Sequence, residues 1–97
     1  MKVVWSKQAR NSLAQIYDYI YEDSPQNAVM VFDTLFDLGN SLADARFDYS
    51  KDLIINEERF KFIPKWNYKI IYERKENEVV ILEIFNTNQN PDKLLKL

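Results

Sequence analysis

Arg59, Lys61, Lys65, Lys69, Arg74 and Lys75 crowd one stretch of this sequence, with Glu73 the only carboxylate among them. A single-sign row of this kind binds an anion or an acidic protein segment, because cations held on one surface sum into a local field. Its plainer use is as a solvated sheet edge whose lysines discourage edge-to-edge pairing. What is missing bounds the chemistry as firmly. The chain has no His and no Cys, which excludes disulfides, zinc sites of the usual Cys/His kind and nucleophilic catalysis by either residue. Metal binding is left to carboxylates alone. No Gly-rich phosphate loop or metal-ligand cluster is present, so no cofactor is expected.

The element that must carry most of these cations is a hairpin over Tyr68–Phe85. Apolar runs at Tyr68–Tyr72 and Val79–Phe85 flank the polar turn Glu73–Glu78, and their β-branched and aromatic residues suit a pleated surface. Alternation along the second strand puts Val80, Leu82 and Ile84 on one wholly apolar face, and Val79, Ile81, Glu83 and Phe85 on the other. One face is therefore expected to meet helices, while the other is only partly covered. On the first strand Lys69 points opposite to Tyr68, Ile70 and Tyr72, toward solvent on the more open face. Before the hairpin, Arg59–Ile63 predicts a strand in which Arg59, Lys61 and Ile63 oppose Phe60 and Phe62, with Pro64 stopping it or marking an edge.

Two helices precede these strands. Ser6 predicts an N-cap, and Ala9, Leu13, Ile16 and Ile20 follow on one helical face, ending near Glu22 or Asp23. Ser24-Pro25 predicts a second cap, because proline at the first helical position loses no hydrogen bond. Ala28, Val31, Phe32, Leu35, Leu38 and Leu42 form the stripe of the second helix, and Gly39 within it permits close packing at a cost of about 1 kcal/mol relative to Ala. The short connection predicts an antiparallel helical hairpin. Lys2–Trp5 predicts a first strand, residues 45–58 a loop with at most a short strand, and Pro91 a final helical turn. The order is strand, helix, helix and a three-stranded antiparallel meander, an α+β domain with helices on one face of a small sheet.

The chain has 97 residues and a net charge of −2, which allows one domain spanning 1–97 and gives no general pull toward nucleic acid. Residues 1–50 carry four basic and seven acidic groups. No run is long enough for a signal sequence or a membrane span, so a cytoplasmic location and no membrane partner are expected. Trp5, Tyr17, Tyr19, Tyr21 and Trp66 cannot all be deeply buried in so small a domain, and some are expected in interfaces.

The front segment VVWSKQARNSLAQIYDYI, Ser24-Pro25-x-x-Ala28, the Arg59 strand, Tyr68-Lys69-Ile70-Ile71-Tyr72 and Val79–Phe85 running into Asn90-Pro91 together resemble the RelE/ParE superfamily of type II toxins. Among its branches, the sequence is most similar to the ParE-like, plasmid-stabilisation group. The likeness covers nearly the whole chain through the order and spacing of its motifs. It implies the same helical hairpin against a curved antiparallel sheet. It also implies a cognate antitoxin whose extended segment and helix wrap the toxin, with a homodimer or a hetero-oligomer both open. Two activities occur on this fold: the ParE branch acts on DNA gyrase, and the ribonuclease branch cuts messenger RNA on the ribosome.

RNA cleavage by 2′-OH attack needs a proton acceptor, charge to stabilise the phosphorane-like state and a donor to the leaving oxygen. On the ribonuclease reading, Arg59, Lys61 and Lys69 supply the charge, and Tyr72 or Tyr68 donates. Lys69 stands where the superfamily usually has arginine, and it lacks the bidentate fork that matches phosphate. Where the superfamily often reads His-x-Arg-Arg, this chain reads Asn86-Thr87-Asn88-Gln89, and amides exchange no proton near neutral pH. The resemblance therefore implies a ParE-like toxin that binds and inhibits its target. Arg59, Lys61, Lys65, Lys69, Arg74, Asn86, Asn88 and Gln89 are its candidate target- or antitoxin-binding residues. A messenger-RNA endoribonuclease and a degenerate antitoxin-binding protein stand as alternatives.

Overall fold

The computed structural model describes residues 1–89 and 91–96. Asn90 of the Asn90-Pro91 pair and Leu97 lie outside the described residues. The elements are β1 (Lys2–Trp5), α1 (Lys7–Tyr21), α2 (Pro25–Asn40), β2 (Phe60–Lys65), β3 (Tyr68–Arg74) and β4 (Glu78–Asn86). Short 3₁₀ turns follow α2 and β4. The sheet order is β1-β4-β3-β2, with β1 parallel to β4 and the other pairs antiparallel. The parallel pair arises because the two helices form the crossover between β1 and the meander. Pro64 lies on the edge strand β2, where its missing N–H leaves no central ladder bond unmade.

Both predicted caps form. Ser6 Oγ accepts the Ala9 amide at 3.0 Å, and Ser24 Oγ accepts the Asn27 amide at 3.2 Å. Gly39 faces the indole of Trp5 so closely that an added Cβ would lie 2.4 Å from Trp5 Cζ2. The glycine thus lets the C-terminal end of α2 settle onto β1. Ala9, Leu13 and Leu35 from the helices meet Ile63, Ile70, Tyr72, Val79, Ile81 and Ile84 from the sheet in the main core. A second, smaller cluster covers the opposite sheet face, where Ile71 and Phe85 pack with Leu94, Ile55, Phe62 and Leu82.

The two faces of β4 differ from the strict alternation read in the sequence. Ile71 pairs with Glu83, whereas Tyr72 pairs with Ile81, so Leu82 is a bulged residue. A bulge adds one residue to one strand and resets the alternation beyond it. Val79 and Ile81 therefore share the helix-facing core with Ile84, while Leu82 and Phe85 turn to the other face. The bulge is anchored by α1: the Ser6 hydroxyl donates to the Leu82 carbonyl at 2.9 Å, and the Ser6 amide donates to the Ile81 carbonyl at 2.9 Å.

Residues 45–58 contain no regular strand. One antiparallel bridge, Lys51 to Lys61, lays the segment along β2. The Asp52 amide donates to the Phe60 carbonyl at 2.9 Å, and Phe62 donates to Ser50 at 3.1 Å. No helix among the described residues is long and apolar enough to cross a membrane.

Candidate partner-binding site

The cationic stretch is engaged inside the domain. Lys61 Nζ lies 2.6 Å from Asp48 Oδ2, Lys69 Nζ lies 2.9 Å from Asp52 Oδ2, and Arg59 Nε lies 3.0 Å from Glu57 Oε2. Arg74 donates to the carbonyls of Leu42 and Phe47 at 3.1 and 2.8 Å. Lys65 lies over the Trp66 ring, with Nζ 4.9 Å from its centroid. Carboxylates of the 45–58 segment therefore pair with three of the cations: Lys61 and Lys69, with Arg74, hold that segment against the sheet, while Arg59–Glu57 is an exposed pair two residues apart.

Lys69 departs furthest from expectation. It does stand on the face opposite Tyr68, Ile70 and Tyr72, but it does not extend into solvent. Its side chain is 18% exposed, it meets a wholly buried Asp52, and its ammonium lies 4.9 Å from the Phe62 ring centroid. Asp52 also accepts the amides of Ile54 and Ile55, each at 2.9 Å, so the carboxylate orders the turn that carries it.

Tyr72 is fully buried in the main core. Its hydroxyl donates to Asp48 Oδ1 at 2.9 Å and accepts the Tyr49 amide at 3.0 Å. Burial, followed by the bond to Asp48, raises its pKa well above the usual phenol value. Hydrogen bonding to Lys61 holds Asp48 below the ordinary carboxylate range, against a smaller opposing effect of burial. Among the described residues, no cluster of three His, Cys, Asp or Glu side chains stands ready for a metal.

A second feature lies elsewhere. A cleft of about 780 Å³ opens between α1 and the ends of β3 and β4. From the helix come Ser12, Gln15, Ile16, Tyr19 and Ile20, and from the strands and following turn come Tyr68, Glu83, Ile84, Asn86, Asn88 and Gln89, joined by Asn67. The structure thus brings Asn86, Asn88 and Gln89 together in one cavity and leaves Arg59, Lys61, Lys65, Lys69 and Arg74 outside its lining. Asn86 Oδ1 accepts the Asn88 amide at 2.9 Å, which shapes the turn. Among the described residues of the lining, Glu83 is the only charged one. Its carboxylate accepts from Gln8 at 2.7 Å, from the Ile84 amide at 2.8 Å and from the Ser12 hydroxyl. Tyr68 has its pKa raised, by burial first and then by proximity to Tyr19. Apart from the Glu83 carboxylate, the described lining consists of amides, phenols, a hydroxyl and apolar groups, able to donate and accept but offering phosphate no cation.

Sequence reasoning named Tyr19 only among several surface aromatics and missed Ser12 and Gln15 beside it. The signal was present: they recur at spacings of three and four, one polar stripe beside the apolar face of α1.

A helical hairpin packed on one face of a small mixed sheet, with cations paired inside the domain and a cleft beside α1, defines an α+β fold. The chain belongs to the ParE toxin family of type II toxin–antitoxin systems: residues 3–91 match the family described as the ParE toxin of the type II toxin-antitoxin system, parDE. Among solved structures, a chain of the chromosomal ParDE toxin–antitoxin system from P. aeruginosa superposes with a TM-score of 0.73. It is 20% identical, and the match covers 89% of this chain and 95% of that one. That likeness concerns the fold. Among curated proteins, none matches this sequence. Family membership implies an antitoxin partner.

Proposed function

We propose that this ParE-family toxin acts by binding and inhibiting a target, with DNA gyrase as that target, and that a cognate antitoxin neutralises it. The observation carrying this reading is the engagement of the cations. Lys61, Lys69 and Arg59 are paired with Asp48, Asp52 and Glu57, and Tyr72 is buried with its hydroxyl bonded on both sides. A ribonuclease built on Lys61 and Lys69 would have to break their pairs with Asp48 and Asp52 before they met a phosphate, whereas Arg59 lies in an exposed pair. The cleft, lined by amides and tyrosines around the hydrogen-bonded Glu83, supports recognition of protein, since amides and tyrosines pair with peptide groups without requiring opposite charge.

The test is induced expression in bacteria lacking the antitoxin, with gyrase-linked DNA recovered and messenger-RNA 5′ ends mapped from the same culture. Trapped gyrase with intact messenger RNA is the expected result. New messenger-RNA ends that vanish in an Arg59→Ala, Lys69→Ala double variant would replace this reading with the endoribonuclease. Healthy growth with soluble protein would mark a chain that only binds antitoxin.

A further inference from the structure

The turn between β2 and β3 is short: Lys65 pairs with Tyr68, and only Trp66 and Asn67 lie between them. Trp66 has φ 52°, in the left-handed region, and Asn67 does not share it. Hairpins with a positive φ at the first turn residue usually place glycine there, because a Cβ crowds the backbone. A bulky side chain at such a position is strained, and the strain persists only where the surroundings hold the turn. Asn67 supplies that hold, since its carbonyl accepts the Thr87 amide at 2.8 Å and the Thr87 hydroxyl at 3.0 Å. Folding draws little from the indole in return. Trp66 is 52% exposed and belongs to neither apolar cluster, whereas Trp5 packs against the main core and donates to Asn40 Oδ1. Lys65 adds a charge to the same turn. Lys61, Lys69 and Arg59 meet carboxylates of their own chain, but the Lys65 ammonium lies over the Trp66 ring, 4.9 Å from its centroid. Asn67 lines the cleft, so the turn stands at its rim.

We infer that Trp66 is the anchor by which this toxin grips its target, with Lys65 beside it pairing to a carboxylate of that target. The inference rests on the gyrase reading and names the contact which that reading needs. Tryptophan is among the residues that most often dominate protein interfaces, because a rigid ring buries a large area at small entropy cost. An indole at the tip of a two-residue turn protrudes, and so it fits a recess in a larger protein. A segment that wraps the domain takes its contacts from the faces of the helices and sheet instead. The occupant is therefore a pocket of gyrase with an apolar floor and a carboxylate at its rim. The strained backbone is retained for binding although it lowers stability.

Trp66→Gly and Trp66→Asn separate binding from folding, since both replacements accept a positive φ. Each variant of the full chain is measured for inhibition of supercoiling by purified gyrase, for affinity to purified antitoxin and for urea unfolding. In both, the half-inhibiting concentration rises about tenfold or more, while the urea midpoint is unchanged or raised and antitoxin affinity stays that of the wild type. Lys65→Gln raises the half-inhibiting concentration less, about threefold, and flattens its dependence on salt. Inhibition unchanged in both Trp66 variants, where the wild type inhibits, overturns the inference and leaves the gyrase reading standing. A urea midpoint lowered in both overturns it as well, by showing that the indole serves the fold. Antitoxin binding lost with inhibition retained assigns the turn to the antitoxin instead. A wild-type chain that does not inhibit gyrase ends the gyrase reading, and this inference with it.

Discussion

Asp52, wholly buried, meets the Lys69 ammonium at 2.9 Å beneath the smaller apolar cluster and so fastens residues 45–58 to the centre of the sheet. Removing one member of such a pair leaves the other charge without compensation, at a cost of about 3–5 kcal/mol for buried pairs. Lys69 retains some exposure, which places Asp52→Ala near the lower end, about 3 kcal/mol. Asp52→Ala with Lys69→Met removes both charges and is expected to be less destabilised than the sum of the single variants. Urea unfolding of the four proteins measures the coupling. Strict additivity would show that the pair contributes nothing beyond its separate parts.

Tyr72 couples the same segment to pH. Its pKa is raised in the fold above the ordinary 10.0, by burial first and then by its bond to Asp48. The folded state therefore binds its proton more tightly than the unfolded chain does. The resulting stability is complete below pH 10 and is lost as pH rises above it. Tyr72→Phe should lower stability by about 1–3 kcal/mol at neutral pH, because the Tyr49 amide loses its acceptor. It should also flatten the alkaline slope. Tyr68, whose pKa is raised as well, leaves a residual slope. At the acid end Asp48 behaves oppositely: its lowered pKa gives stability present above pH 3.8 that is lost as pH falls through its folded value. Thermal unfolding from pH 2 to 12 for Tyr72→Phe and Asp48→Asn reads both limbs.

The helical hairpin was legible in the sequence because its signals are local. Ser6 and Ser24-Pro25 announce the helix starts, and apolar spacing of three and four announces the buried faces. The β3–β4 hairpin was legible for the same reason. The bulge at Leu82 was not, since apolar residues fall on both faces of VVILEIF and the single polar residue, Glu83, is compatible with an unbroken alternation. Nor were the clasps: Asp48 and Asp52 sit in a segment without periodicity, and they meet Lys61 and Lys69 only through the fold. The hint was the run of carboxylates in that segment (Asp48, Asp52, Glu57 and Glu58) directly ahead of the cationic stretch. Of the cleft, Asn86, Asn88 and Gln89 were visible as a departure from the superfamily's basic motif, while its helical wall needed the packing of α1 onto β4.

Gly39→Ala sets two effects against each other. Helix propensity favours alanine by about 1 kcal/mol. The new methyl, however, would approach Trp5 Cζ2 to 2.4 Å, and the indole is held by its bond to Asn40 Oδ1 at 2.9 Å and its stack on Phe36. Overpacking costs about 1–3 kcal/mol, so the variant should be net destabilised and show altered Trp5 fluorescence. A stabilised Gly39→Ala would mean that the indole moves aside freely.

Tyr19 separates binding from stability. It is 78% exposed on the cleft wall, and its neighbours there include the amides Gln15 and Gln89. An exposed side chain of this kind contributes within about 0.5 kcal/mol to folding, whereas a tyrosine at a protein interface is a frequent anchor, with truncation costing about 2 kcal/mol or more. If the cleft receives a protein partner, Tyr19→Ala should leave the urea midpoint unchanged and weaken binding of the cognate antitoxin or of gyrase at least tenfold. Gln89→Ala should do the same to a smaller degree. Titration calorimetry with purified antitoxin and DNA-supercoiling assays with gyrase distinguish the two partners: loss of inhibition with intact antitoxin binding assigns the cleft to the target, and the reverse assigns it to the antitoxin. Unchanged affinity for both would remove the cleft from the binding surface.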